Sequence, residues 1–516
     1  MKAKAELTAL LVTVCVAGIF AADWPAYLGP KRDGTSTQKG VLRSWPKEGP
    51  KVVWTAPLGP GFGGPAVSRN KVYLLDRDEK TGDTLRVFDF STGKELWSFA
   101  YDSPGSFMWP GSRTTPTVDG DIVYTCGPLG DLYAISTTTH KPIWSKNIWK
   151  EFGGVGNLPA LRMPPPGFRG VPPGAPGSTP PGPSGRQAGA PGGIPPGPAG
   201  GPAGAPSGPP PGSPGGPAGA PGGAPPGPPG GQRGDSGRGG APGSQLPTWA
   251  IVQNPLIYGN LVIVAPQAPQ ATVVAFDKLT GELKWKSPVL AGGVGYVSPS
   301  IVKIGGEDHL VMIMASQGFG RSAGGGGVNG LDPLSGKVLW TYSNWQCGIP
   351  VPHAVDAGQG RVLITGGYRA GAAMIRVEKK AGGTYEVTEL YKNADFGSHT
   401  QPPILYKDHF YTHYTTNERS DGLVCMSMDG QVKWKTGEDP AFVRGGSVLA
   451  DGLLLTTDGN TMLYLVEPDP SGFKPLASAV MMEPGTNWAP IALVDGKLLI
   501  RDQKQLKCVQ VAQQGR

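Results

Sequence analysis

The sequence has little charge, no close cysteine pairs and no helical periodicity, and each shortage excludes something. Charged residues are 16% of the 516, and the net charge of +7 is unevenly placed. The first 22 residues and the stretch 161–240 carry most of it, leaving about +2 on everything else. A nucleic-acid binder concentrates basic residues on one face or stripe, so nucleic acid is not an expected partner. The chain has 5 cysteines, with no Cys-Cys or Cys-x-x-Cys pair. Cys126, Cys425 and Cys508 lie in apolar strand patterns, which suits small buried core residues better than metal ligands or nucleophiles. Only one apolar run is long. Lys2 and Lys4 precede Leu7–Ala22, which ends in small residues. It reads as an export signal, residues 1–22, too short and lightly flanked for a membrane span. The expected location is periplasmic or extracellular, with no transmembrane span after cleavage.

Glycine (82) and proline (56) are abundant but concentrated. They supply 52 of the 80 residues 161–240. The segment 153–245 has almost nothing apolar to bury and lacks the strict three-residue register of collagen, so a disordered, extended Pro/Gly-rich insert is expected. A tether to the cell envelope and a tolerated loop expansion are both consistent with it. The remainder, 51–152 and 246–511, has the turn-rich composition of a globular β protein, preceded by an N-terminal extension over 23–50.

That remainder is repetitive. In the clearest copy Ala275 is followed by Asp277, Gly281 and Trp285. Val87, Asp89, Gly93 and Trp97 repeat the spacing, as do Gly330, Asp332, Gly336 and Trp340. Ala134 and Trp144 keep the ends with His140 in the Gly slot, and Cys425, Gly430 and Trp434 form a version one residue shorter. Met374–Tyr391, Leu463–Ala479 and Leu506–Val511 are degraded copies without Trp. Each copy reads as strand, tight turn, strand, the Gly supplying a positive φ. A second repeat places Pro65, Pro116, Pro255, Pro299, Pro352, Pro403 and Pro490, with Gly446 in the eighth slot, before an apolar pair. Proline can start a strand because its missing N–H costs nothing there. Four short strands per unit, eight units and an apolar period of two give an all-β fold: a single eight-bladed β-propeller of four-stranded antiparallel blades. The last unit lacks its fourth strand, and Lys51–Ala56 is an orphan strand carrying Trp54. An N-terminal strand is therefore expected to close blade eight and remove its open edge.

The repeat resembles the tryptophan-docking motif of the pyrroloquinoline-quinone (PQQ) propeller family. That family takes in quinoprotein dehydrogenases and the outer-membrane-assembly propeller lipoprotein. The resemblance implies that Trp97, Trp144, Trp285, Trp340 and Trp434 each pack between the small residue of their own repeat and the Gly slot of the next blade. The segment Trp24–Gly34 is similar to the start of secreted PQQ-like propeller proteins. In the dehydrogenases the resemblance would also imply PQQ, an adjacent-cysteine disulfide, a carboxylate–Asn metal site and an Asp base. Here there is no Cys-Cys pair, and the segments that enter the inner strands contain no Asp or Glu. No cofactor and no metal ligand are therefore expected, and no catalytic residue. The expected role is a non-catalytic exported binding or scaffold protein of the cell envelope, with a protein, peptide or carbohydrate partner. A PQQ-dependent alcohol or sugar dehydrogenase is the alternative.

Two smaller patterns carry less. Gly59, Gly61 and Gly64 match a dinucleotide fingerprint, but no helix follows. His409 and His413 fall on one face of a strand; as metal ligands they would need a third partner such as His399, whereas partly exposed strand histidines need none. The candidate binding site is the mouth of the central channel, ringed by the residues just before each innermost strand. They are Trp109, Arg113, Gln253, Asn254, Trp345, His353, His399, Gln401, Arg444, Asn487 and Trp488, with Trp249 in the same segments. Indoles, amides, two Arg and two His without a carboxylate suit a neutral or anionic ligand.

Overall fold

The computed structural model describes residues 23–107, 109–155, 246–316, 325–415 and 420–513. The expected export signal and nearly all of the expected disordered insert lie outside them. The described residues fall within one compact unit, 1–173 with 240–516; the second unit, 174–239, lies wholly outside them.

Eight antiparallel sheets are present, each a meander from inner to outer strand. Blades one to seven span 66–102, 117–147, 256–286, 300–342, 355–393, 404–435 and 447–480. Blade eight combines Ala492–Val494, Lys497–Arg501 and Gln505–Gln510 with Val52–Pro57, which takes the outermost position. The N-terminal strand thus closes the ring. Among the described residues no helix is long and apolar enough to cross a membrane.

The blade interfaces follow from one repeated irregularity. Val87 pairs with Trp97, Ala134 with Trp144, Ala275 with Trp285, Gly330 with Trp340 and Cys425 with Trp434, and the register shifts immediately after each pair. A bulge at this point re-aims the large side chain. A Cβ at Gly281 would come within 2.7 Å of the Trp144 ring, and one at Gly336 within 2.5 Å of Trp285. These glycines also hold φ of +72° and +69°, so flatness and backbone conformation both exclude a side chain. Trp97 stacks instead on His140 at 4.4 Å, the residue in the Gly slot, itself at φ +59°. Tyr391, in a copy without Trp, does the same work against Gly430, as does Trp54 against Gly93. Trp434 reaches blade seven through its indole N–H, 2.7 Å from the Asp469 carbonyl. Trp340 departs from the implied pattern: its indole donates to His309 Nδ1 within its own blade.

The four cysteines among the described residues are free and buried. Cys425 and Cys508 sit opposite Trp434 and Trp54 as the small partners of the bulge. Burial pushes the Cys425 thiol up to about 11 and Cys508 to about 12.

Blade seven has a fifth strand, Thr35–Ser36, running parallel to Ser447–Ala450 on its inner edge. An innermost strand presents unpaired backbone groups to the channel, and the segment 23–42 uses them. Trp24 and Val67 exchange backbone hydrogen bonds of 2.9 and 2.8 Å in blade one, and Pro25 accepts from Val118 N–H in blade two. Arg32 reaches the Pro255 carbonyl at the start of blade three at 3.0 Å; farther along, the Leu42 N–H bonds Val511 O, just past the third strand of blade eight. Between them the chain turns tightly, with Gly29 (φ +83°) lying flat on the Trp24 indole. Trp24, Ala26, Tyr27 and Leu28 are buried. The N-terminal extension is therefore a plug across the channel.

Candidate binding cup

The plug turns the channel into a cup with a cavity volume of about 170 Å³ at the mouth where the innermost strands begin. Tyr27 forms its floor. Its wall carries Phe62, Trp109, Trp249, Tyr296, Tyr368 and Trp488, with Arg113, Asn254, His399, Gln401 and Arg444 as the polar groups. Thr115, Val252, Ser298, Val351, Thr400 and Pro490 complete the lining. No lining residue is acidic.

The wall has an internal order. Arg113 lies over Phe62 at 5.3 Å, Phe62 meets Trp488 at 5.7 Å, and Arg444 covers Trp488 at 4.7 Å. Trp109 joins the same ladder, 5.1 Å from Trp488. The guanidinium faces are thus occupied by rings. Their edges are only partly used: Arg113 Nε donates to the Trp249 carbonyl at 3.4 Å, while Arg113 Nη2 and Arg444 Nε are shielded and have no hydrogen-bond partner among the described residues. Neither Arg113 nor Arg444 forms an ion pair there. Burial lowers both, Arg113 to about 10, which still leaves it charged at neutral pH. Arg444 also holds φ of +92°, a strained value for a residue with a side chain. Behind Arg113 lies a buried ion pair, Arg77 to Asp83 at 2.6 Å. Both guanidiniums approach the Phe107 ring, Arg77 at 5.0 Å and Arg113 at 5.5 Å from its centre. Burial pushes the Asp83 carboxyl up to about 7, against the pull of Arg77.

Seven of the eleven expected mouth residues line the cup: Trp109, Arg113, Asn254, His399, Gln401, Arg444 and Trp488. The other four do not line it, and each makes at least one hydrogen bond to a backbone carbonyl instead. Gln253 donates to the Gly295 carbonyl at 3.0 Å, and Asn487 to those of Asn460 and Glu483. Trp345 is buried with its indole N–H on Ala370 O at 3.1 Å. His353 bonds Ala354 O at 2.9 Å and lies edge-on to Tyr27, outside the cup lining. Residues that entry segments alone could not supply come from elsewhere. Tyr27 belongs to the plug, and Tyr368 to the turn between the second and third strands of blade five, which reaches the same mouth.

The two strand histidines separate. His409 is partly exposed beside the Lys407 carbonyl, while His413 is buried with Nε2 2.8 Å from Thr456 Oγ1. Burial drives His413 down to about 3 and His353 to about 4. Both are neutral in the folded chain. In the unfolded chain each takes a proton near pH 6.5. Stability from this source is therefore present above pH 6.5 and is lost as the pH falls toward the folded values. His413→Gln is expected to reduce the slope of unfolding free energy against pH, between 6 and 4, by about 1.4 kcal/mol per pH unit. Urea midpoints at four pH values measure it, and parallel curves for the two proteins would contradict it.

A family model described as outer membrane protein assembly factor BamB matches residues 28–159 and 244–436, more than half of the chain. The chain belongs to this family of PQQ-like propellers. Its fold is similar to that of a europium-containing methanol dehydrogenase over 95% of this chain and 89% of that one, with 12% identity and a TM-score of 0.55. A quinohemoprotein alcohol dehydrogenase from Comamonas testosteroni is similar over 96% and 81%, with 11% identity and a TM-score of 0.55. BamB from Moraxella catarrhalis covers 89% and 99%, with 10% identity and a TM-score of 0.49. No curated protein matches. At such identities the likeness to the two dehydrogenases is one of fold alone.

The donor set can be tested against the dehydrogenases' cofactor pair. The rings and guanidiniums would accept a flat anion. A hard divalent cation needs carboxylate oxygens, and the cup lining provides none; among the described residues no three His, Cys, Asp or Glu converge to hold a metal. The residues present do not fit the metal half of that pair.

Proposed function

We propose that this chain is an exported, non-catalytic binding and scaffold propeller of the cell envelope, and that its cup holds the ligand or the end of the partner. The observation that carries this reading is the cup lining: seven aromatic side chains and two guanidiniums, with no carboxylate to serve as a base or to hold a metal. Aromatic faces supply contact area and the guanidinium, amide and imidazole groups supply orientation. A sugar, a polysaccharide end or a peptide carboxylate suits that set. Export is supported by Lys2, Lys4 and the apolar run Leu7–Ala22.

Two measurements test the proposal. Purified protein supplied with PQQ and Ca²⁺ is expected to reduce no redox dye with methanol, ethanol or glucose beyond free PQQ. Turnover would replace this reading with the dehydrogenase one. Ligands found by screening the protein against glycans and carboxyl-ended peptides are expected to bind an Arg444→Ala, Trp488→Ala double variant about tenfold or more weakly. Unchanged binding, in a variant with unchanged folding, would remove the cup as the site.

A further inference from the structure

The plug brings a third cation to the cup from below. The Arg32 guanidinium lies 5.9 Å from the centre of the Tyr27 ring, the ring that forms the floor. Nη1 is held by the Pro255 carbonyl at 3.0 Å, while Nε and Nη2 are shielded and have no hydrogen-bond partner among the described residues. Arg32 forms no ion pair among them either. The ring edge next to it belongs to His353, which burial keeps neutral. Burial lowers Arg32 to about 10, so it too is charged at neutral pH.

An uncompensated charge behind a thin aromatic floor, shielded from solvent, projects its field into the space above. The two cations of the wall add to it. Among the described residues Arg444 has no acidic neighbour, and the two acids near Arg113 are already engaged, Asp83 with Arg77 and Glu79 as acceptor from the Ser106 hydroxyl and the Phe107 N–H. Shielded guanidinium edges without partners are costly, and oxygens of an anion would satisfy them in the forked geometry that guanidinium offers.

We propose that the cup accumulates anions, that Arg32 acts through Tyr27 as its third cation, and that its occupant is a ring compound bearing a carboxylate or a phosphate. This rests on the cup-binding reading above and adds the sign of the ligand and the role of the N-terminal plug. Arg32 is here a positioning residue for charge, not a contact of the ligand.

Collisional quenching of the cup indoles tests the sign without any ligand. At constant ionic strength, iodide is expected to quench the full chain's tryptophan fluorescence more strongly than caesium. Arg32→Gln is expected to lower the iodide constant about twofold, and Arg32→Lys, which keeps the charge, to leave it in place. Equal quenching by the two ions in the wild type overturns the proposal, as does an unchanged iodide constant in folded Arg32→Gln. Titration with phthalate, phenyl phosphate and phenol gives the ligand class. The two anions are expected to bind at least about tenfold tighter than phenol, and which of them is tighter distinguishes a carboxylate source from a phosphate source. Phenol binding as tightly as both overturns the inference even where the cup variant weakens all three, a result that would leave the cup itself standing as a site. If the Arg444→Ala, Trp488→Ala variant binds all three unchanged, the cup reading fails on its own.

Discussion

Trp54→Ala is expected to destabilise the protein by about 3–5 kcal/mol, the range for emptying a buried aromatic site. The indole is 8% exposed, fills the space over Gly93 of blade one, and donates to the Phe90 carbonyl at 2.9 Å. Its strand pairs with Gln505–Gln510 and makes the contact between the two ends of the ring. Trp285→Ala removes a comparable ring between blades three and four, where the flanking chain still holds the blades in sequence. The two losses in urea unfolding should be similar, but only the Trp54 variant should also associate, because loosening its strand bares the edge of blade eight. Removing residues 23–57 takes away the strand and the plug together, and should yield no folded monomer. A Trp54→Ala midpoint within about 1 kcal/mol of wild type, with no association by light scattering, would show that closure depends little on this strand.

The ring was legible because its instructions are local and repeated. A small residue, a Gly at fixed spacing and a Trp define a bulged hairpin, and eight Pro or Gly positions mark the inner strands. Tyr391 shows the limit of that reading: a Tyr does the docking in a copy that looks degraded, because what the interface needs is a flat ring over a glycine. The cup was half legible. Entry segments pointed to Arg113, Arg444 and Trp488, but register alone cannot say whether an amide faces the channel or a neighbouring carbonyl, and Gln253 and Asn487 face carbonyls. The plug was not legible at all. Trp24, Tyr27 and Arg32 act at three different blades, contacts separated by as many as 326 positions in the case of Tyr27 and His353, and no local period encodes them.

Asp83→Ala should be the other severe substitution. Asp83 and Arg77 face one another across a hairpin, both wholly buried and 2.6 Å apart. Arg77 also donates to the carbonyls of Ser103 at 2.6 Å and Gly105 at 3.1 Å, so its position is fixed by groups that cannot follow if the acid is removed. Without Asp83 the Arg77 charge stays buried, with Arg113 also close to the Phe107 ring. Breaking such a pair from one side costs about 3–5 kcal/mol. Replacing both partners with apolar side chains of similar volume, Arg77→Met with Asp83→Leu, removes the uncompensated charge as well as the attraction. The double variant should therefore be more stable than Asp83→Ala, although it carries one more substitution. Urea unfolding of the two singles and the double completes the cycle. Losses that simply add would mean the two charges are screened from one another, and that Asp83 does not hold the positive charge behind the cup in check.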